Sequence, residues 1–205
     1  MLPGMNNTGI VILAAGASSR FGTPKQLIPF NGKTLLQHVI DEAGNAEPAA
    51  IVVVTGANTD EIASSLSDDN FNLVFNEEWA KGMASGIVAG VHAIIRLNNS
   101  IEKIIIAVCD QPFVNAALFK QLNQVQQETG KPIVASTYAN TIGTPVLFSR
   151  RYFDQLLSLE GDTGAKKLLK EYSGDVATVD FPKGVVDIDT QDDLDRLLDE
   201  QKHVF

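Results

Sequence analysis

The sequence predicts an α/β protein, a three-layer α/β/α arrangement on a mainly parallel sheet, and three observations predict it. Short apolar runs rich in β-branched residues alternate along the chain with longer segments whose apolar residues follow helical spacing. Runs such as Ile104-Ile105-Ile106-Ala107-Val108 are apolar on both faces, as expected of strands covered by helices on either side. The chain has 205 residues and is 44% hydrophobic, long enough for one well-buried core and too short to make two large domains the natural reading, so residues 1–205 are expected to form a single domain.

Each element has its own signal. Strands are predicted at 10–14, 50–55, 72–75, 103–109 and 132–137, where β-branched and aliphatic residues favour extended backbone. Helices are predicted at 34–44, 59–66, 84–97, 116–128, 150–159, 165–172 and 192–200, from apolar recurrence at three and four residues. Asn58-Thr59-Asp60-Glu61 has the spacing of a capping box. Thr190 stands just before Asp192 and Asp193, acidic residues that favour a helix N-terminus. In a parallel sheet the ligand sits at the carboxyl ends of the strands. The segments 13–25, 55–58, 76–85 and 109–112 each follow a predicted strand, so all four are expected to converge on one edge.

Composition narrows the function classes. A formal net charge of −9 argues against a nucleic-acid surface, which needs basic clustering, and requires an anionic ligand to be drawn in by local charge. No apolar stretch reaches the roughly 20 residues of a spanning helix, and residues 1–8 lack the features of a signal peptide, so no membrane association is expected. The single cysteine, Cys109, excludes an intramolecular disulfide and makes a cysteine-rich metal site implausible, which fits a cytoplasmic protein.

The chemistry concentrates in Leu13-Ala14-Ala15-Gly16-Ala17-Ser18-Ser19-Arg20-Phe21-Gly22-Thr23-Pro24-Lys25. An apolar strand runs into small residues, Ala14, Ala15, Gly16, Ser18 and Ser19 among them, whose backbone NH groups can approach phosphate oxygens closely. Arg20 then offers a planar fork of donors and Lys25 a compact charge on a long stem, a pair suited to gripping a polyphosphate from two sides. The loop has neither the Gly-Lys-Ser/Thr ending of a Walker motif nor the G-x-G-x-x-G dinucleotide spacing.

This loop resembles the signature of the nucleotidyltransferases with a Rossmann-like fold, and within them it is most similar to the molybdenum cofactor cytidylyltransferases. The likeness extends from Leu13 to Thr190. It implies transfer of CMP from CTP to molybdopterin with release of pyrophosphate, Mg²⁺ as cofactor, and a molybdoenzyme or its maturation chaperone as recipient. Residue by residue it implies Arg20, Lys25 and Asp110 as catalytic, and Asp110 with Asp189 as the metal pair. Ala14, Ala15, Gly16, Ser18, Ser19, Arg20, Lys25, Thr55, Gly56, Gly82 and Ser85 are implied on the nucleotide side, and Gly143 and Pro145 on the acceptor side.

The residues themselves allow plainer readings. Asp110 in Cys109-Asp110-Gln111-Pro112 suits a hard dication, but an Asp-x-Pro after a strand also simply starts a turn. Asp187 and Asp189 share a face if the segment is extended, and Asp189 with Thr190 equally well opens the last helix. Thr55-Gly56, Gly143-Thr144-Pro145 and Gly161 to Gly164 are compatible with ordinary turns, and Trp79 and Ser85 with core filling and helix capping. His38, His92 and His203 have no metal-ligand spacing and no nearby nucleophile, so they receive no catalytic role. Guanylyl-transferring relatives carry Gly-Gly where this chain has Ala15-Gly16, which favours cytidine. Other phosphorylated acceptors, such as a sugar phosphate or a methylerythritol phosphate, and a non-catalytic nucleotide-binding handover protein remain as alternatives on the same fold.

Overall fold

The computed structural model describes residues 4–16, 23–67, 70–162, 164–188 and 193. Its strands are β1 (Met5–Ala14), β2 (Pro29–Phe30), β3 (Lys33–Thr34), β4 (Pro48–Thr55), β5 (Asn72–Phe75), β6 (Lys103–Val108), β7 (Ile133–Tyr138), β8 (Thr141–Ser149) and β9 (Val176–Asp180). Its α-helices are α1 (Leu35–Asn45), α2 (Thr59–Ser65), α3 (Met83–Leu97), α4 (Ala116–Thr129), α5 (Phe153–Leu157) and α6 (Lys166–Glu171). Among the described residues the main sheet has the order β5-β4-β1-β6-β8-β7-β9, and β2 and β3 form a separate two-stranded ribbon.

The sheet is mainly parallel, as expected. β1 runs parallel to β4 and β6, β4 to β5, and β7 to β9; only β8, antiparallel to both β6 and β7, is reversed. Alternation along β1 divides the core into two layers. Ile10, Ile12 and Ala14 pack on one face with Leu36, Val39 and Ile40 of α1 and Leu118, Phe119 and Leu122 of α4. Val11 points the other way, with Val52 and Val54 of β4, onto Ile87, Val91 and Ile94 of α3. Burial on both faces explains why these strands read as unbroken apolar runs.

The order of strand addition reverses at β1. From β1 the chain winds outward through β4 and β5, then returns to β6 on β1's other side. The carboxyl ends of β1 and β6 therefore flank a topological switch point, where open α/β sheets leave a crevice for a ligand. Leu13 pairs with Val108 there, and the Cys109 amide donates to the Leu13 carbonyl at 3.3 Å.

Four expectations change. β8 and β9 are strands that the apolar runs did not reveal. β8 carries Gly143-Thr144-Pro145, a turn-like string, and tolerates it through an irregularity: Ala135 pairs with Val146 and Ser136 with Gly143, leaving Thr144 and Pro145 outside the ladder. The β7–β8 hairpin was equally hidden, because its two turn residues, Ala139 and Asn140, adopt φ of 47° and 59°, and alanine is not a residue that announces such a turn. The segment 150–159 is not one helix but a 3-10 turn, Arg150–Tyr152, followed by α5. Asn58 does not form the capping box; it lies at φ 62° with no side-chain cap, and the Thr59 hydroxyl donates to the Gly56 carbonyl at 2.7 Å instead. The segment 192–200 lies outside the described residues except for position 193.

At the amino end of the sheet, away from the crevice, Lys103 is 6% exposed. Its ammonium donates to Asn123 Oδ1 at 2.5 Å, and among the described residues no carboxylate pairs with it. Burial holds its pKa below the ordinary 10.5. Below that lowered value the ammonium is charged in both states and its desolvation cost is fully present; stability rises as pH climbs from it towards 10.5. Lys103→Met is therefore expected to stabilise the protein by about 1 kcal/mol at pH 7. Urea midpoints should show that advantage shrinking at pH 10, and a less stable variant at pH 7 would contradict it.

Candidate active site

The crevice is built from the stem of the first loop. Ala14 ends β1, 1% exposed, and Ala15 and Gly16 continue along the wall of a cleft of about 420 Å³. What holds this backbone in place is Gln26, 0% exposed, whose side-chain amide donates to the Ala14 carbonyl at 2.7 Å and the Gly16 carbonyl at 3.0 Å. The buried Ala14 carbonyl, which could not reach water, and the carbonyl of exposed Gly16 are thus satisfied by one side chain. Sequence reasoning did not assign Gln26 a role, and only its position beside Lys25 could have drawn attention to it.

Lys25 begins a 3-10 turn, Lys25–Leu27. Its ammonium meets Asp110 Oδ2 at 2.5 Å, with the two side chains 17% and 20% exposed. Residues 85 positions apart are therefore brought together at the carboxyl rim, as the loop and the β6 terminus were expected to be. Asp110 belongs to two adjoining cavities, the cleft already described and a pocket of about 250 Å³. Leu13, Met83, Val108 and Asp162 are shared in the same way. The pocket's polar side holds Gln111, Tyr138, Thr144 and Asp187.

The 76–85 loop closes the cleft opposite Lys25. Asn76, 5% exposed, donates to Ser85 Oγ at 2.8 Å and accepts from the Glu78 amide at 3.0 Å. Ser85 Oγ lies 2.8 Å from the Gly82 carbonyl and 2.9 Å from that of Glu78, so its hydroxyl ties the loop together and the residue does not line the cleft. Gly82 does line it, and glycine is required there: φ is 104°, and a Cβ would stand 2.0 Å from Asp162 Oδ1. The Ala84 amide donates to the Gly161 carbonyl at 3.1 Å, locking the two loops. Trp79, 36% exposed, forms part of the cleft wall rather than filling the core.

The remaining predicted positions separate into wall and support. Thr55 is fully buried at the end of β4, and its hydroxyl oxygen lies 3.1 Å from Thr59 Oγ1. Gly56 lets the turn press against its neighbours, since a Cβ would lie 2.5 Å from Trp79 Cβ and 2.8 Å from the Ala15 carbonyl. Gly143 lines the smaller pocket, while the Pro145 carbonyl accepts from the buried Ser136 hydroxyl at 2.8 Å. Ser18, Ser19, Arg20 and Asp189 lie outside the described residues. The amide of Ile188 donates to the Asp110 carbonyl at 3.1 Å, so the chain leading to Asp189 is anchored beside Asp110. Asp162, Tyr138 and Gln111 are site-lining residues that the sequence did not single out, because their loops converge only in the folded chain.

Electrostatics leave few groups able to act as a base. Burial, and then Asp110, push the Cys109 thiol up to about 12, so it stays protonated and unreactive. Burial raises the Tyr138 phenol despite its side-chain hydrogen bonds with Thr144 and Gln111, and Asp187 and Asp110 raise it further, keeping it a hydrogen-bond donor at neutral pH. The arrangement is one of positioned charge, with backbone amides and a cation on one wall and carboxylates where two cavities meet.

Comparison with known proteins agrees with this architecture. The chain is 28% identical over 200 residues to nicotine blue oxidoreductase of Paenarthrobacter nicotinovorans, covering 92% of this chain and 95% of that protein. The crystal structure of Rv0371c from Mycobacterium tuberculosis H37Rv superposes with a TM-score of 0.81 at 31% identity, covering 95% of this chain and 99% of the other. A structure of Rv0371c in complex with manganese gives a TM-score of 0.76 at 29% identity, over 94% and 98% of the two chains. Among the described residues no helix is long and apolar enough to cross a membrane. The model of the MobA-like NTP transferase domain matches residues 10–176, most of the chain and every element that frames the cleft, and the protein therefore belongs to that nucleotidyltransferase family.

Proposed function

We propose that the protein transfers CMP from CTP to molybdopterin with release of pyrophosphate, using Mg²⁺ held by Asp110 and Asp189, in the cytoplasm and for delivery to a molybdoenzyme or its chaperone. The observation that carries the reading is the contact between Lys25 and Asp110 at the junction of two cavities, the larger against the first loop and the smaller against β8. A triphosphate on the loop side and a phosphorylated acceptor on the β8 side would meet there. Ala15-Gly16 supports cytidine, and the manganese complex of Rv0371c supports a divalent cation.

The donor set fits such a cation. Asp110 is a hard carboxylate facing both cavities, and Asp187 lines the acceptor side of the same rim. When bound, the ion supplies charge neutralisation between the α-phosphate and the acceptor oxygen. Lys25 presents its ammonium where phosphate oxygens can replace the carboxylate as partner, and Arg20 and the amides at Ala15 and Gly16 add donors to the leaving pyrophosphate. An acceptor phosphate oxygen bonds to the α-phosphorus while the bond to the bridging oxygen breaks, its electron pair leaving with pyrophosphate. That oxygen is already anionic at neutral pH, so no side chain has to remove a proton.

Melting curves with CTP, GTP and ATP, each with and without Mg²⁺, should show metal-dependent stabilisation greatest for CTP, about 2.7 kcal/mol at roughly a hundredfold excess over the dissociation constant. Pyrophosphate release should then require molybdopterin; release only with a sugar phosphate would move the acceptor assignment. The likeness to nicotine blue oxidoreductase favours a second reading, redox chemistry in the same cleft. Redox turnover of nicotine blue, without pyrophosphate release from any acceptor, would select it.

A further inference from the structure

A residue lining the smaller pocket carries a buried polar atom with no partner among the described residues. Gln111 follows Asp110 directly and is 1% exposed. Its amide nitrogen donates to the Gly184 carbonyl at 3.1 Å, which settles the direction of the carboxamide, because turning it over would set oxygen against oxygen. Gln111 Oε1 is buried and has no hydrogen-bond donor among the described residues. A desolvated acceptor without a donor weakens a fold, and a native structure that keeps one calls for a reason. Here the residue lines a cavity, so a ligand in it can supply the missing donor.

The surroundings define that ligand. Leu13, Ile106, Val108 and Val146 form an apolar wall, whereas Tyr138 and Asp187 join Gln111 on the polar side. At about 250 Å³ the pocket suits a fused-ring heterocycle better than a second nucleotide. We propose that Gln111 is the specificity-determining residue for the acceptor, its carboxamide oxygen receiving the ring N–H, not the exocyclic amino group, of a flat heterocycle that lies on the apolar wall while the acceptor's phosphate reaches the Asp110 rim. This rests on the reading of the pocket as the acceptor side of a nucleotidyltransferase. A site built to receive a donor rejects an analogue that lacks it far more strongly than an apolar pocket rejects a missing methylene.

The probes are pterin and 3-methylpterin, alike in shape apart from one ring N–H replaced by N-methyl, titrated by fluorescence against the full chain. Wild type should bind pterin at least roughly tenfold more tightly, and Gln111→Met should lose that preference by weakening pterin alone. In pyrophosphate release, Gln111→Met should raise the KM for molybdopterin and leave the KM for CTP unchanged, a split that a merely structural role would not produce. The wild-type comparison needs no variant, so misfolding of Gln111→Met leaves it decisive. Equal binding of the two probes, binding of neither, or discrimination that persists in Gln111→Met overturns the assignment. Absence of pyrophosphate release with every acceptor overturns the transferase reading instead, and the two pterins still decide the role of Gln111.

Discussion

Asp110→Asn should lower pyrophosphate release at saturating CTP by roughly two to three orders of magnitude, the scale of losing one preorganised electrostatic group. The substitution preserves shape and removes only the charge. Asp110 lines both cavities and pairs with Lys25, which comes from the loop assigned to the triphosphate in the proposed reaction. If this charge acts where bonds are made and broken, kcat falls while CTP binding, assigned in the proposed reaction to the loop amides, Arg20 and Lys25, changes much less. Fluorescence titration of CTP beside a steady-state release assay separates the two. A variant that turns over like wild type would reduce the Lys25 contact to a structural ion pair, and the proposed reaction centre would have to be sought elsewhere.

The second large effect is expected from a residue that touches neither substrate. Gln26→Leu removes both donors from the Ala14 and Gly16 carbonyls, and a buried acceptor left unpaired costs about 1–3 kcal/mol. The backbone can recover part of that cost by rotating the buried Ala14 carbonyl towards water, which moves the amides lining the cleft. Weaker CTP binding by roughly tenfold to a hundredfold follows, since a loop displaced by about 1 Å forfeits its contacts together. The KM for CTP should rise well before the melting temperature shows general collapse. Unchanged CTP affinity would mean that the loop keeps its shape without Gln26.

Both predictions concern the same stretch of chain, yet they differ in how far the sequence exposed them. The strand ending at Ala14, the small residues after it and the cation at Lys25 were legible because each is local: β-branched residues extend, small side chains admit close approach, and lysine carries charge wherever it lies. Asp110 was legible as a carboxylate ending the most apolar run. The α/β/α layering followed from the same locality, since strands apolar on both faces can be buried only between helices.

Other features depended on partners far along the chain. Nothing local to Gln26 states that its amide will meet two carbonyls ten and twelve residues earlier, and nothing near Gln111 predicts a partner at Gly184, 73 residues on. Ser85 looked like a ligand donor and proved to be committed to Asn76 and two loop carbonyls. β8 was concealed by its turn-like Gly143-Thr144-Pro145, which the sheet accommodates through two residues set outside the ladder.

By itself, the sequence determined the layered fold, the phosphate-friendly loop and the charged residues available to a reaction, because periodicity, side-chain size and charge belong to residues and their neighbours. Only the tertiary structure decided which of them meet: that Lys25 faces Asp110, that Gln26 props the carbonyls of Ala14 and Gly16, and that Gln111, beside the adjoining pocket, holds an oxygen with no partner among the described residues. Hydrogen bonds and ion pairs act over a few ångströms of space, and distance along a chain sets no such limit.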